Sequence, residues 1–167
     1  YYTEKEILEL LVNQFKSNYQ KIINNGDGMM NFTMQEIVTL ASIIQGEAMY
    51  VDEMPLISSV YHNRLKKNML LQADPTIQYI IPGKPRRLFN KDLEVDSPYN
   101  TYMYKGLPPG AINNPGIEAI KAAMYPDESK YFYFVSDGEG RHVFTQTVDQ
   151  HNLAKLQLKR KRKAMAK

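Results

Sequence analysis

A chain of 167 residues is long enough to bury one sizeable core, and the absence of cysteine excludes disulfides, thiol nucleophiles and Cys-held metals together. The net charge of +3 misleads, because six of the 21 Lys and Arg lie in KRKRKAMAK at 159–167; the remainder carries 15 basic against 18 acidic residues. A nucleic-acid-coating domain is therefore not expected, and no apolar run reaches the ~18–20 residues that cross a bilayer.

A first amphipathic helix is predicted over 3–24, with Ile7, Leu8, Leu11, Phe15, Tyr19 and Ile22 at three- and four-residue steps. NNGDG stops it. Thr33 and Glu36 form a capping-box pattern that opens a second helix, running through Ile37, Val38, Ala41 and Ile44 to about Tyr50. Asp52 is placed to cap a third helix over 53–67, with Pro55 in its tolerated first turn. Between 68 and 116 lie seven of the nine prolines, so only a short helix near 75–80 is expected there. The interleaved Ile77, Tyr79, Leu88, Tyr99, Tyr102, Leu107 and Ile112 mean that the stretch packs rather than floats. A brief helix follows at 116–124. YFYFVSDGEGRHVFTQ (131–146) reads as a β-hairpin, and a last helix starts near Thr147 and enters the basic run, taken as a solvated, frayed extension. The pattern is α+β, rich in helix with one small antiparallel element.

Glu47, in LASIIQGEAMY, follows Leu40, Ile43 and Ile44 at intervals of seven, four and three, and so shares their apolar face. Burial and the nearby helix C-terminus would both disfavour its charge, making it an acid able to hold a proton near neutrality; the alternative on periodicity alone is that the helix ends earlier and Glu47 stands in water. Gly46 beside it would let a bulky ligand approach the backbone. LQADPT and SPYNTYMYKGLPPGAINNPG are dense in amides, hydroxyls and rings: Gln72, Asp74, Thr76, Tyr99, Asn100, Thr101, Tyr102, Asn113 and Asn114. Such a set suits a polyhydroxylated, amide-bearing ligand, and twelve Tyr suit the stacking of sugar faces. The alternative is that Asn and Asp serve as turn and cap residues, which for Asp74, ahead of a proline at a helix start, is the stronger reading. His62, His142 and His151 lack metal-ligand spacing; His142, on the hairpin, could line a cleft. No Walker, GxGxxG or GxSxG motif is present.

Taken in order, LASIIQGEA, YHNRLKKNMLLQADPTIQY, DSPYNTYMYKGLPPGAINNPG and YFYFVSDGEGRHVF resemble the catalytic domain of the YceG-like (MltG) family of endolytic murein transglycosylases, over about 33–154. The resemblance implies a domain of 1–158 with the acid on a helix, as in lysozymes, followed by the basic tail. It implies a parent with an N-terminal transmembrane helix and a LysM-like module, neither of which this sequence contains. That parent would be anchored in the cytoplasmic membrane, face the periplasm or cell wall, and act beside penicillin-binding synthases in elongation and cell shape. The activity implied is cleavage of peptidoglycan between N-acetylmuramic acid and N-acetylglucosamine with a 1,6-anhydromuramic product and no cofactor. Glu47 inherits the role of the essential glutamate. Gln45 stands where many members carry a first acidic residue, and Gly46 where they carry a basic one. Gln72, Asp74, Thr76, Tyr99, Asn100, Tyr102, Asn113 and His142 are the candidate glycan contacts. Two rival readings remain: a glycan-binding module without catalysis, if Gln45 occupies the catalytic position, and a hydrolase, with Asp74 or Asp96 activating water.

Overall fold

The computed structural model describes residues 2–23 and 32–165; the NNGDG stop lies outside them. Six helices are described, α1 (Glu4–Ile23), α2 (Met34–Glu47), α3 (Met54–Lys66), α4 (Asp74–Ile80), α5 (Ile117–Met124) and α6 (Val148–Met165), together with strands β1 (Tyr133–Ser136) and β2 (His142–Thr145). The fold is α+β.

The core is the meeting of α2, α3 and α5. Leu40, Ile43 and Ile44 of α2, Ile57 and Tyr61 of α3, and Ala119, Ile120 and Ala123 of α5 are buried together. The expected capping box is present: Glu36 N–H donates to the Thr33 hydroxyl and Thr33 N–H to the Glu36 carboxylate, at 3.3 and 2.8 Å. A Thr cap is worth ~1 kcal/mol, and here it also fixes where in the turn α2 begins and hence which face Glu47 occupies.

Three expectations are corrected. Asp52 does not cap α3; it sits inside a 3-10 turn, Val51–Glu53, and pairs with Arg141 at 3.1 Å, while Glu53 takes the N-cap place with no side-chain cap bond. The first half of α1 leaves its stripe in solvent, with Ile7, Leu8 and Leu11 exposed by 47%, 63% and 63%; packing begins at Phe15 and is complete only at Ile22. Periodicity gave the helix but not its partner. The basic run at 159–165 does not fray: α6 continues through it, Lys161 pairs with Glu139, and Arg162 donates to the Ser136 carbonyl at 2.9 Å.

The proline-rich stretch is held by buried polar groups in place of regular structure. Asn100, with no exposed surface, donates to the Leu93 and Val95 carbonyls and accepts from Tyr102 N–H. The Thr101 carbonyl and hydroxyl accept from the N–H groups of Gln72 and Ala73. A second 3-10 turn, Asn90–Glu94, which the sequence did not announce, is pinned by the fork between Arg86 and Asp92 at 2.7 and 2.8 Å. The hairpin turns through Gly138 and Gly140 at φ of 93° and 92°, a region that favours glycine. It pairs Tyr133 with Thr145 and Ser136 with His142. β1 lies against α3 through the edge contact of Phe134 on Tyr61, and α6 closes over it with His151 stacked on Tyr133.

Candidate active site

Glu47 is the last residue of α2, on the face of Leu40, Ile43 and Ile44, where the core opens to solvent. Its pKa is raised to about 7, chiefly by burial; the charge of Asp74 pushes the same way, while the Tyr61 hydroxyl, the Asp74 backbone N–H and the Arg64 charge oppose. Tyr61, on the adjoining face of α3, donates to Glu47 Oε1 at 2.9 Å. Burial and the Glu47 charge hold the Tyr61 hydroxyl far above its ordinary pKa, so it remains a donor at every physiological pH.

Two clefts meet at this carboxyl. One, of about 450 Å3, is lined by Arg64, Gln72, Tyr102, Phe134, His142 and Lys155 among others. The other, of about 390 Å3, is lined by Gly46, Pro75, Gln78, Tyr79, Ile112 and Asn113. Among the described residues, only Glu47 and Asp74 line both. Asp74 owes its place to α4, which it begins; its carboxylate makes no cap bond and accepts instead from the Tyr102 hydroxyl at 2.5 Å, so the cap reading is corrected. Burial first, and that bond second, raise the Tyr102 pKa.

Of the candidate contacts, Gln72, Asp74, Tyr102 and His142 line the first cleft and Asn113 the second. Gln72 holds a left-handed backbone, φ 49°, secured by its N–H to the Thr101 carbonyl; strain of this kind at a non-glycine residue persists only where its surroundings enforce it. His142 Nδ1 lies 2.9 Å from Glu53 Oε2, which fixes the ring against the hairpin. Asn113 donates to the Ser42 carbonyl at 2.7 Å, tying the loop to α2. Thr76 and Asn100 are wholly buried and bond within the protein, so their role is to hold the wall rather than to touch a ligand. Tyr99 lines neither cleft but packs on Tyr79, which lines the second, at 4.9 Å between centroids.

Gly46 also has a packing role that the sequence did not announce. A Cβ there would stand 2.7 Å from the Pro75 Cβ and 2.9 Å from its Cγ, so the bare backbone accommodates α4, and with it Asp74, while Gly46 still lines the second cleft. Gln45 turns away from both clefts and accepts from the Gly116 N–H at the start of α5, 3.1 Å. It lines neither cleft.

Sequence reasoning missed Tyr61 and Arg64. Their spacing of three on α3 puts both on one helical face, and a phenol and a guanidinium on the face that also buries Ile57 were the available signal. Arg162 was hidden inside what read as a tail, and Lys155, in the helix that leads into it, was not singled out. Among the described residues no group of three or more His, Asp or Glu side chains stands where it could hold a metal ion.

The site is of the kind that acid-catalysed bond cleavage uses, with a carboxyl at a helix end whose pKa is raised to about 7, supported by a phenol and open to a cleft on each side. The chain belongs to the YceG-like family, whose model matches residues 1–157. It is 40% identical over 151 residues to the endolytic murein transglycosylase of Bacillus subtilis, covering 90% of this chain and 42% of that one. With the endolytic murein transglycosylase of Streptococcus pneumoniae (strain D39) it shares 33% identity over 129 residues, 73% of this chain and 23% of that one. The crystal structure of a YceG-like protein from Listeria monocytogenes superposes with a TM-score of 0.76 at 38% identity, over 90% of this chain and 47% of its own. The chain thus spans less than half the length of these relatives.

Proposed function

We propose that this domain cleaves the glycan strands of peptidoglycan from within, between N-acetylmuramic acid and N-acetylglucosamine, without consuming water. The observation that carries the reading is Glu47, a single carboxyl with a pKa of about 7 at the meeting of two clefts. A strand lying across both presents an internal glycosidic oxygen to that carboxyl. Glu47 gives its proton to this oxygen as the bond to the muramic anomeric carbon breaks, and the N-acetylglucosamine leaves with a free hydroxyl. The C6 hydroxyl of the same muramic residue then attacks the anomeric carbon, and the Glu47 carboxylate takes its proton. The product is a 1,6-anhydro ring, the acid ends as it began, and no second carboxylate is needed as nucleophile.

Tyr61 steadies Glu47 in both states, since its hydroxyl donates to the neutral acid and more strongly to the carboxylate. Asp74, at the boundary of the clefts, faces the positive charge that develops at the anomeric centre, with Tyr102 fixing its orientation. Gln72, Asn113 and the Tyr79 ring are placed to position hydroxyl, acetamido and apolar sugar faces. Asp74 also sustains a second reading, hydrolysis with Asp74 activating water, because it is the other carboxylate in the same clefts.

The domain is further read as the catalytic part of a longer membrane-anchored protein working on the outer side of the cytoplasmic membrane beside penicillin-binding synthases. None of the described helices is long and apolar enough to cross a membrane. Mass spectrometry of peptidoglycan digests tests the chemistry. Anhydromuramic ends from the unaltered protein and none from Glu47→Gln are expected. Reducing ends instead would establish the hydrolytic reading, and intact strands that the protein still binds would leave a binding module.

A further inference from the structure

The two clefts differ in charge. Three cations, Arg64, Lys155 and Arg162, line the first, and among the described residues no basic one lines the second. Among the described residues none of the three is ion-paired. Arg64 is the telling one, being only 7% exposed. Its Nε and Nη1 donate to the backbone carbonyls of Phe132, Leu70 and Leu71, and Tyr133 covers its guanidinium face at 5.2 Å. Backbone carbonyls, tyrosine hydroxyls and the Glu47 charge answer it, but among the described residues no carboxylate pairs with it directly, so an arriving anion would find an unpaired, buried partner. Beside it, His151 also lines the cleft, with a buried Nδ1 that has no hydrogen-bond partner. Arg162 is brought in by the bond to the Ser136 carbonyl, and Lys155, nearly two turns earlier on α6, faces the same space.

We propose that this half of the cleft seats a carboxylate of the peptide carried on the lactyl group of the muramic residue beside Glu47, so that the enzyme selects peptide-bearing strands over bare glycan. The inference rests on the peptidoglycan-cleaving reading and specifies its substrate. Glycan hydroxyls and acetamides are neutral and give three converging cations nothing to neutralise. Phosphate-bearing wall polymers joined through the muramic C6 oxygen are anionic too, but at the reacting residue that oxygen must be free to attack. The lactyl peptide is the anionic substituent compatible with the chemistry, and Arg and Lys donors suit its carboxylates.

The test compares kcat/KM on strands of matched length in three forms: with peptides bearing free carboxylates, with those carboxylates amidated, and with the peptides removed. The unaltered protein is expected to favour the first by about tenfold over the other two. In Lys155→Gln/Arg162→Gln that ratio should collapse to within about twofold, while Lys159→Gln/Arg160→Gln, which removes equal charge outside the cleft, keeps it. Thermal unfolding of both variants checks that each is folded. Cleavage of all three strands at one rate by the unaltered protein, or a ratio that survives the cleft substitutions, overturns the inference and leaves the activity standing. Cleavage of none defeats the activity reading. Retention of the same strands by the Glu47→Gln protein, followed by fluorescence anisotropy, then decides the subsite alone, and equal retention of all three overturns it.

Discussion

On one side of the clefts, Glu47, Tyr61 and Arg64 hang from α2 and α3, where helical spacing fixes the direction of each side chain. On the other, Gln72, Asp74 and Tyr102 come from a stretch whose regular structure amounts to the seven residues of α4 and a 3-10 turn. The helical wall is secured by apolar burial spread over many residues, so no one contact decides its position. The irregular wall hangs on a few saturated polar groups, Asn100 and Thr101 above all, and each is indispensable in a way that no single leucine of α2 is. The proposed reaction requires both, because Glu47 could act as its acid only if the opposite wall held a sugar against it.

The comparison is sharpened most by removing the acid. Glu47→Gln should lower the cleavage rate by ~10³-fold or more, as expected for loss of a general acid, measured by release of muropeptides. The same change should stabilise the protein. With a folded pKa of about 7 above an ordinary value of 4.5, Glu47 binds more proton folded than unfolded, so its contribution is full below pH 4.5 and lost as pH rises through 7. Glu47→Gln is therefore expected to be ~2 kcal/mol more stable than the parent at pH 8 and nearly equal to it at pH 4. Urea unfolding at the two pH values checks this, and a pH-independent difference would contradict it.

The irregular wall breaks at Asn100. Asn100→Ala leaves two buried carbonyls and one N–H without partners, and should cost ~3 kcal/mol, read from urea midpoints. Hydrogen exchange should rise across 93–102 more than in α2. Gly46→Ala attacks the seam between the walls. It pushes on the rigid Pro75 ring and should cost ~1–3 kcal/mol, with Asp74 displaced and turnover reduced more than Gly46→Ala stability alone accounts for. The smallest effect is expected at Tyr61→Phe, a loss of about tenfold in kcat. Because the hydroxyl lowers the Glu47 pKa, its removal should move the alkaline fall of activity to higher pH.

The same division explains how much could be read from the sequence. Glu47 was legible because an acid at intervals of seven, four and three from buried aliphatic residues can only share their face. The Thr33 cap, the DGEG turn and the start of α6 near Thr147 were legible for similar reasons, each being set within a few residues. Opposite them, Asn100 and Tyr102 sit two apart in one motif, yet one is wholly buried and the other lines a cleft. Nothing local separates them, since partners such as Leu93 and Asp74 are chosen by the tertiary path of the chain. Asp52 was misjudged because a 3-10 turn shifted the start of α3 and left its carboxylate to Arg141, far along the chain. Arg162 was missed because a run of charge carries no sign of what its helix lies against, and Lys155 because a lone lysine on a helix carries no sign of its neighbours.

That Glu47 belongs to two clefts at once bears on a question of length. A passage that continues past the acid on either side has no end stop from which a strand could be counted. A site closed at one end would act as a ruler and release fragments of fixed size; under the proposed reading this one would cut wherever a strand is laid across it.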